Sequence, residues 1–195
     1  MEYSMRQSTK QALSETFKIL LEDQTIDKIT VKDIVSKCGV NRQTFYYHFR
    51  DIYELMEWTL ENDIREYLSD KSDFSEDFLI IEWKESIYYL YQFLYSRKRQ
   101  ILHAYDPVNK TYYENFLLKF ITPIIDYRIS LCTSASSVPK EKRVFVTKAY
   151  TWICLELILE WLEHGMPNEH KIQLDDYLTL VDGSLDTALE RFIPR

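Results

Sequence analysis

The stretch Thr30–Phe49, TVKDIVSKCGVNRQTFYYHF, decides how this chain is built. Thr30, with Asp33 three residues on, opens a short helix whose apolar face is Val31, Ile34 and Val35. Gly39 is the natural residue for a left-handed helix stop, and Asn41 is a good N-cap for a second short helix, RQTFYYHF. Two short helices joined by so tight a turn form a helix-turn-helix, whose second helix enters the DNA major groove. The first helix aims its free N–H groups and positive dipole end at a phosphate, and the Thr30 hydroxyl can join them. Val40, Phe45 and Phe49 are expected to face the core. That leaves Arg42, Gln43, Thr44, Tyr46, Tyr47 and His48 outward.

Helical spacing continues on both sides. Upstream, Ser8-x-x-Gln11 reads as a capping box that starts a helix carrying Leu13, Phe17, Leu20 and Leu21. Downstream, Asp51-x-x-Glu54 opens a longer helix with Ile52, Leu55, Met56, Leu60 and Ile64 on one side. A polar break at 69–77 precedes helical stretches at 78–95 and 97–104, and another from about 110 to 132 that Pro123 should kink or divide. The next helix, 139–164, is apolar on nearly all sides except for a stripe of Glu156, Glu160 and Glu163, so more than one face must be covered. Leu174, Leu178, Val181, Leu185, Ala188 and Phe192 then repeat at alternating steps of four and three, the spacing of a helix–helix seam. No strand alternation of useful length appears. An all-α fold follows.

Composition narrows the function. The chain has 195 residues and 23.6 kDa, 46% of them apolar and 28% charged, the balance of a globular protein. No run approaches the roughly 20 apolar residues that span a bilayer, and the N-terminus lacks the apolar core of a secretory signal, so a cytoplasmic protein is expected. Gly39, Gly165 and Gly183 lie too far apart for a phosphate-cradling loop. Cys38, Cys132 and Cys154 form no CxxC pair and read as small core residues in a reducing compartment. The net charge of −7 is uneven: residues 1–50 carry eight Lys/Arg against six Asp/Glu, and the remainder 16 against 25. A slightly basic head on an acidic body suits a protein that touches phosphates with one end.

With Thr30-Val31-x-x-Ile34-Val35, Gly39-Val40 and Thr44-Phe45-Tyr46-Tyr47-His48-Phe49 followed by Asp51 and Leu55, the chain resembles the TetR/AcrR family of transcription regulators over roughly residues 8–60. The resemblance implies a three-helix DNA-binding head at 1–52 and a helical ligand-binding and dimerisation body at 53–195, about nine helices in all. It matches Tyr46 and His48 to a phosphate-contacting pair and Thr30 to a backbone contact, and it places Arg42, Gln43, Thr44 and Tyr47 at base- or sugar-reaching positions. Arg42 could take guanine, Gln43 adenine, and Tyr47 a thymine methyl. Where the family often carries a phosphate-gripping Lys, this chain has Ile52, with Arg50 or Lys10 as substitutes. RQTFYYHFRDIYELMEW and LILEWLEHGMP further resemble regulators of dihydroxyacetone-kinase operons.

The function these features imply is a homodimeric regulator, a repressor by family habit, that binds a palindromic operator and responds to a small-molecule effector. Its last two helices would pair through Leu155, Leu159, Leu178, Val181 and Leu185. Phe116, Phe120 and Trp152 are candidates to line an effector pocket. The alternative is a coactivator or adaptor whose body binds a partner protein. No nucleophile sits beside a recognisable base and no paired carboxylates suggest acid–base work, so no enzyme and no cofactor are expected. Glu163-His164 and Glu169-His170 lack helical ligand spacing, so no metal is expected either, and Arg97-Lys98-Arg99 reads as a solvated helix end.

Overall fold

A computed structural model describes residues 2–69, 83–168 and 171–194. Among the described residues the regular structure is entirely helical, as expected. In chain order the helices are α1 (Glu2–Asp23), α2 (Val31–Cys38), α3 (Arg42–His48), α4 (Ile52–Ser69), α5 (Trp83–Ser96), α6 (Lys98–Ala104), α7 (Lys110–Ser130), α8 (Lys140–Glu163) and α9 (Lys171–Glu190). Two compact units emerge, residues 1–70 with 96–116, and residues 71–95 with 117–195.

Two boundaries differ from expectation. α1 begins at Glu2, so Ser8 and Gln11 lie inside a helix rather than at its cap. α7 runs unbroken through Pro123, between the buried Ile121, Ile124 and Ile125. Apolar burial on both sides of the proline holds together a helix that its missing N–H would weaken. Most of the polar break, and the start of the 78–95 stretch, fall outside the described residues.

The first unit packs α1 against α2, α4 and α6. Its core joins Leu13, Phe17 and Leu21 of α1 with Leu55, Met56 and Leu60 of α4. Inside lies a charged node that the sequence did not announce. Asp63 is buried, and its carboxylate meets Lys18 Nζ at 2.9 Å and Arg97 Nε at 3.4 Å. Burial alone would lower the Lys18 ammonium, but hydrogen bonds to Glu15 and Asp63 outweigh it and raise its pKa. Arg97 is therefore an internal tie between α4 and the start of α6, rather than part of a solvated helix end.

In the second unit α8 and α9 form an antiparallel pair. The Tyr177 hydroxyl donates to the Tyr150 carbonyl at 3.1 Å, and the Tyr150 and Ser184 hydroxyls meet at 2.7 Å. The turn between them passes through Gly165 and Met166 in the left-handed region, with φ of 77° and 53°, and Trp161 Nε1 donates to the Pro167 carbonyl at 3.0 Å. This pairing corrects the expected dimer contacts. Leu155, Leu159, Leu178, Val181 and Leu185 are all buried inside one chain, where α9 packs on α8. A four–three seam states that a helix meets a helix but not whose helix it is. Among the described residues the exposed large apolar side chains of this pair are Val144, Phe145, Trp152 and Ile153 of α8 and Leu180 of α9.

Candidate nucleic-acid interface

The interface is built from its caps. Thr30 Oγ1 accepts the Asp33 N–H at 3.2 Å, and Asp33 Oδ2 accepts both the Thr30 N–H, at 3.0 Å, and the Thr30 hydroxyl, at 2.5 Å. These bonds from the Thr30 hydroxyl and N–H hold the Asp33 carboxyl below its ordinary value of 3.8. Two of the four N–H groups left open at a helix start are thus already satisfied, and the Thr30 hydroxyl is engaged within the motif. Gly39 ends α2 at φ 75°, in the left-handed region, and its N–H reaches the Val35 carbonyl. Asn41 Oδ1 then accepts the Thr44 N–H at 2.8 Å and the Thr44 hydroxyl at 3.0 Å, which starts α3.

From that start, α3 turns its aromatics in two directions. Phe45 and Phe49 are buried against each other, ring centroids 6.0 Å apart, and Phe49 meets Trp58 edge-on at 5.9 Å. Tyr46 and Tyr47 are 58% and 60% exposed, far too open for core residues. Arg42 and Gln43 are exposed, whereas Thr44 and His48 are half-buried. His48 lies edge-on to the Tyr47 ring at 5.0 Å. Val40 is half-buried, so the hidden anchors of α3 are the two phenylalanines. Lys28, Lys32, Lys37, Arg42 and Arg50, in the same part of the chain, are exposed.

The two expected stand-ins for a lysine at position 52 are both occupied. Arg50 Nε pairs with Asp51 at 3.1 Å, and its own N–H donates to Glu54 at 2.6 Å. Lys10 Nζ lies over the Phe49 ring at 5.1 Å and the Trp58 ring at 5.6 Å, bracing the hidden side of α3 by cation–π attraction. A second aromatic brace joins α4 to α7, where Tyr53 and Tyr112 stack 5.2 Å apart. Neither brace has a local sequence signature, because each pairs residues distant along the chain.

The effector candidates differ in burial. Phe116 is buried, Phe120 half-buried and Trp152 exposed. None of them lines either of two small cavities. One, in the first unit, is walled by Phe17, Leu60, Asp63 and Arg97; the other, in the second, by Tyr91, Cys154, Trp161 and Tyr177. Each measures about 20 Å³, room for about one water. Cys154 is completely buried, which pushes its thiol up to about 12, and burial likewise raises Cys132 to about 11. Among the described residues no three His, Cys, Asp or Glu side chains gather to hold a metal, and Glu169 and His170 lie outside them. No helix among the described residues is long and apolar enough to cross a membrane.

A capped helix-turn-helix carrying an exposed aromatic ridge, on an otherwise helical chain, defines a transcriptional regulator of the DNA-binding class. The family model for bacterial regulatory proteins of the tetR family matches residues 18–57, and that for the TetR_C_8 transcriptional regulator C-terminal region matches residues 82–183. The chain belongs to the TetR family of bacterial transcriptional regulators, and both matching families are regulators rather than enzymes. It is 29% identical over 101 residues to the helix-turn-helix-type dhaKLM operon transcriptional activator DhaS of Lactococcus lactis, an alignment covering 50% of this chain and 54% of that protein. It is 24% identical over 181 residues to a helix-turn-helix-type transcriptional regulator of Staphylococcus aureus, covering 80% and 95% of the two. Among solved structures, a dihydroxyacetone kinase operon activator DhaS superposes with a TM-score of 0.63 at 20% identity, over 95% of this chain and 98% of that one. A TetR regulator of Streptococcus agalactiae gives 0.57 at 21%, over 92% and 97%.

Proposed function

We propose that the chain binds a palindromic operator in double-stranded DNA as a homodimer and represses transcription until a small-molecule effector releases it. The exposure of Tyr46 and Tyr47 on a short helix whose Phe45 and Phe49 are hidden is the observation that carries this reading. In it, residues 1–52 are the DNA-binding head and 53–195 the dimerising, effector-binding body. The protein works wherever the genome lies, which makes the cytoplasm its site.

Tyr46 and His48 grip phosphates, the first through an exposed hydroxyl. Arg42, Gln43 and Tyr47 reach base edges from the first turns of α3, while Thr44, tied to Asn41, contacts the sugar–phosphate rim. Thr30 contributes as the cap that sets the angle of α2. With its hydroxyl held by Asp33, the phosphate is met by the backbone N–H groups of Val31 and Lys32. Dimerisation uses the exposed outer faces of α8 and α9, since the side chains first expected there are already buried. Two recognition helices about 34 Å apart would then enter successive major grooves.

The alternative for the body is a partner protein in place of a small effector. Footprinting on the chain's own promoter region tests the operator reading. Protection of two half-sites about one helical turn apart is expected, and failure to protect any duplex would overturn it.

A further inference from the structure

We infer that two copies of the chain pair through α8 in antiparallel register about Trp152, with Lys148 of each copy facing Glu156 of the other. The inference rests on the dimer reading above and fixes its register. α8 is a helix of two electrical halves. Residues 140–151 carry Lys140, Lys142, Arg143 and Lys148 against the single Glu141, whereas 152–163 carry Glu156, Glu160 and Glu163 and no Lys or Arg. Trp152 stands at the midpoint, 44% exposed, with Ile153 beside it at 42%.

Lys148, Trp152 and Glu156 follow at steps of four, so they share one side of the helix. All three are exposed, and among the described residues neither charge has a partner within its own chain. A large aromatic flanked one turn away by opposite, unpaired charges is an arrangement that complements itself under a two-fold axis. Such an axis at Trp152 lays Lys148 opposite Glu156 twice over and sets the basic half of each α8 against the acidic half of the other. Parallel pairing would oppose like charges along the whole helix. The inner face of α8 is filled by α9, so this outer face is the one left for a second copy.

The test uses the full chain with Lys148→Glu and Glu156→Lys, purified separately under different tags. Each alone brings like charges together at both symmetric contacts, so its dimer dissociation constant should rise at least about tenfold while far-ultraviolet circular dichroism stays unchanged. Mixed, the two variants regain opposite charges at both contacts. The heterodimer should then far exceed the statistical half of all dimers in native mass spectrometry. A statistical mixture, or single variants that dimerise like the parent, would overturn the register and leave the dimer standing, as it would if α8 met α9 of the other copy. A parent chain that sediments only at its own 23.6 kDa would overturn the dimer reading itself.

Discussion

Asp33 and Asp63 show how differently one residue type can act. Asp33 is a surface carboxylate that closes the Thr30 cap, and its pKa lies below 3.8 because the Thr30 hydroxyl and N–H both donate to its charged form. A carboxyl depressed in the folded state adds stability that is complete above its unfolded value and is lost as pH falls through the folded one. The gap in melting temperature between the parent chain and Asp33→Ala should therefore be steady at neutral pH and close below about pH 3.8. Thr30→Ala should cost about 1 kcal/mol in urea denaturation, the usual size of a lost N-cap. Asp63 is buried between two cations, and Asp63→Ala removes the anion that ties Lys18 and Arg97 together. A loss of about 3 kcal/mol is expected by the same denaturation, and a change under 1 kcal/mol would mean that the node is solvated.

Helices are where the local reading works best and where it meets its limit. α2 and α3 were legible because their signals are local: Thr30 with Asp33, the left-handed Gly39, the Asn41 cap, and Phe45 and Phe49 one turn apart. α1 misled because Ser8 and Gln11 have capping chemistry but sit in a sequence that extends the helix to Glu2. The α9 seam misled for a different reason, since periodicity gives the packed face without its partner. The consequence can be measured. Leu178→Glu places a charge in the α8–α9 core and should unfold the chain, with loss of the cooperative thermal transition. Trp152→Glu alters only an exposed face and should give a folded monomer in analytical ultracentrifugation. Folded monomers from Leu178→Glu would show that the seam lies between chains after all.

Across the whole molecule, an acidic protein is proposed to bind a polyanion, and the charge distribution reconciles the two. Lys28, Lys32, Lys37, Arg42 and Arg50 are exposed within the first 50 residues, while the acidic excess lies beyond residue 50. The ties that steady the first unit were hidden from a linear reading. Lys10 over Phe49 and Trp58, Tyr53 against Tyr112, and Asp63 with Lys18 and Arg97 all pair residues 34 or more positions apart. Only folding brings them together. The effector side was equally unreadable, because an aromatic on a helix looks the same whether it fills a core, as Phe116 does, or faces solvent, as Trp152 does.

The most direct test is the affinity of the purified chain for duplex DNA as a function of salt, followed by fluorescence anisotropy for the parent, Tyr46→Ala and Arg42→Ala. Tyr46→Ala should weaken binding about tenfold on every sequence with the salt slope retained, because a neutral phosphate donor is lost. Arg42→Ala should lower the slope by about 0.9 for each phosphate its charge had neutralised, or relax base preference with the slope retained if it reads guanine. Unchanged affinity and slope in both variants would contradict the placement of α3 against DNA.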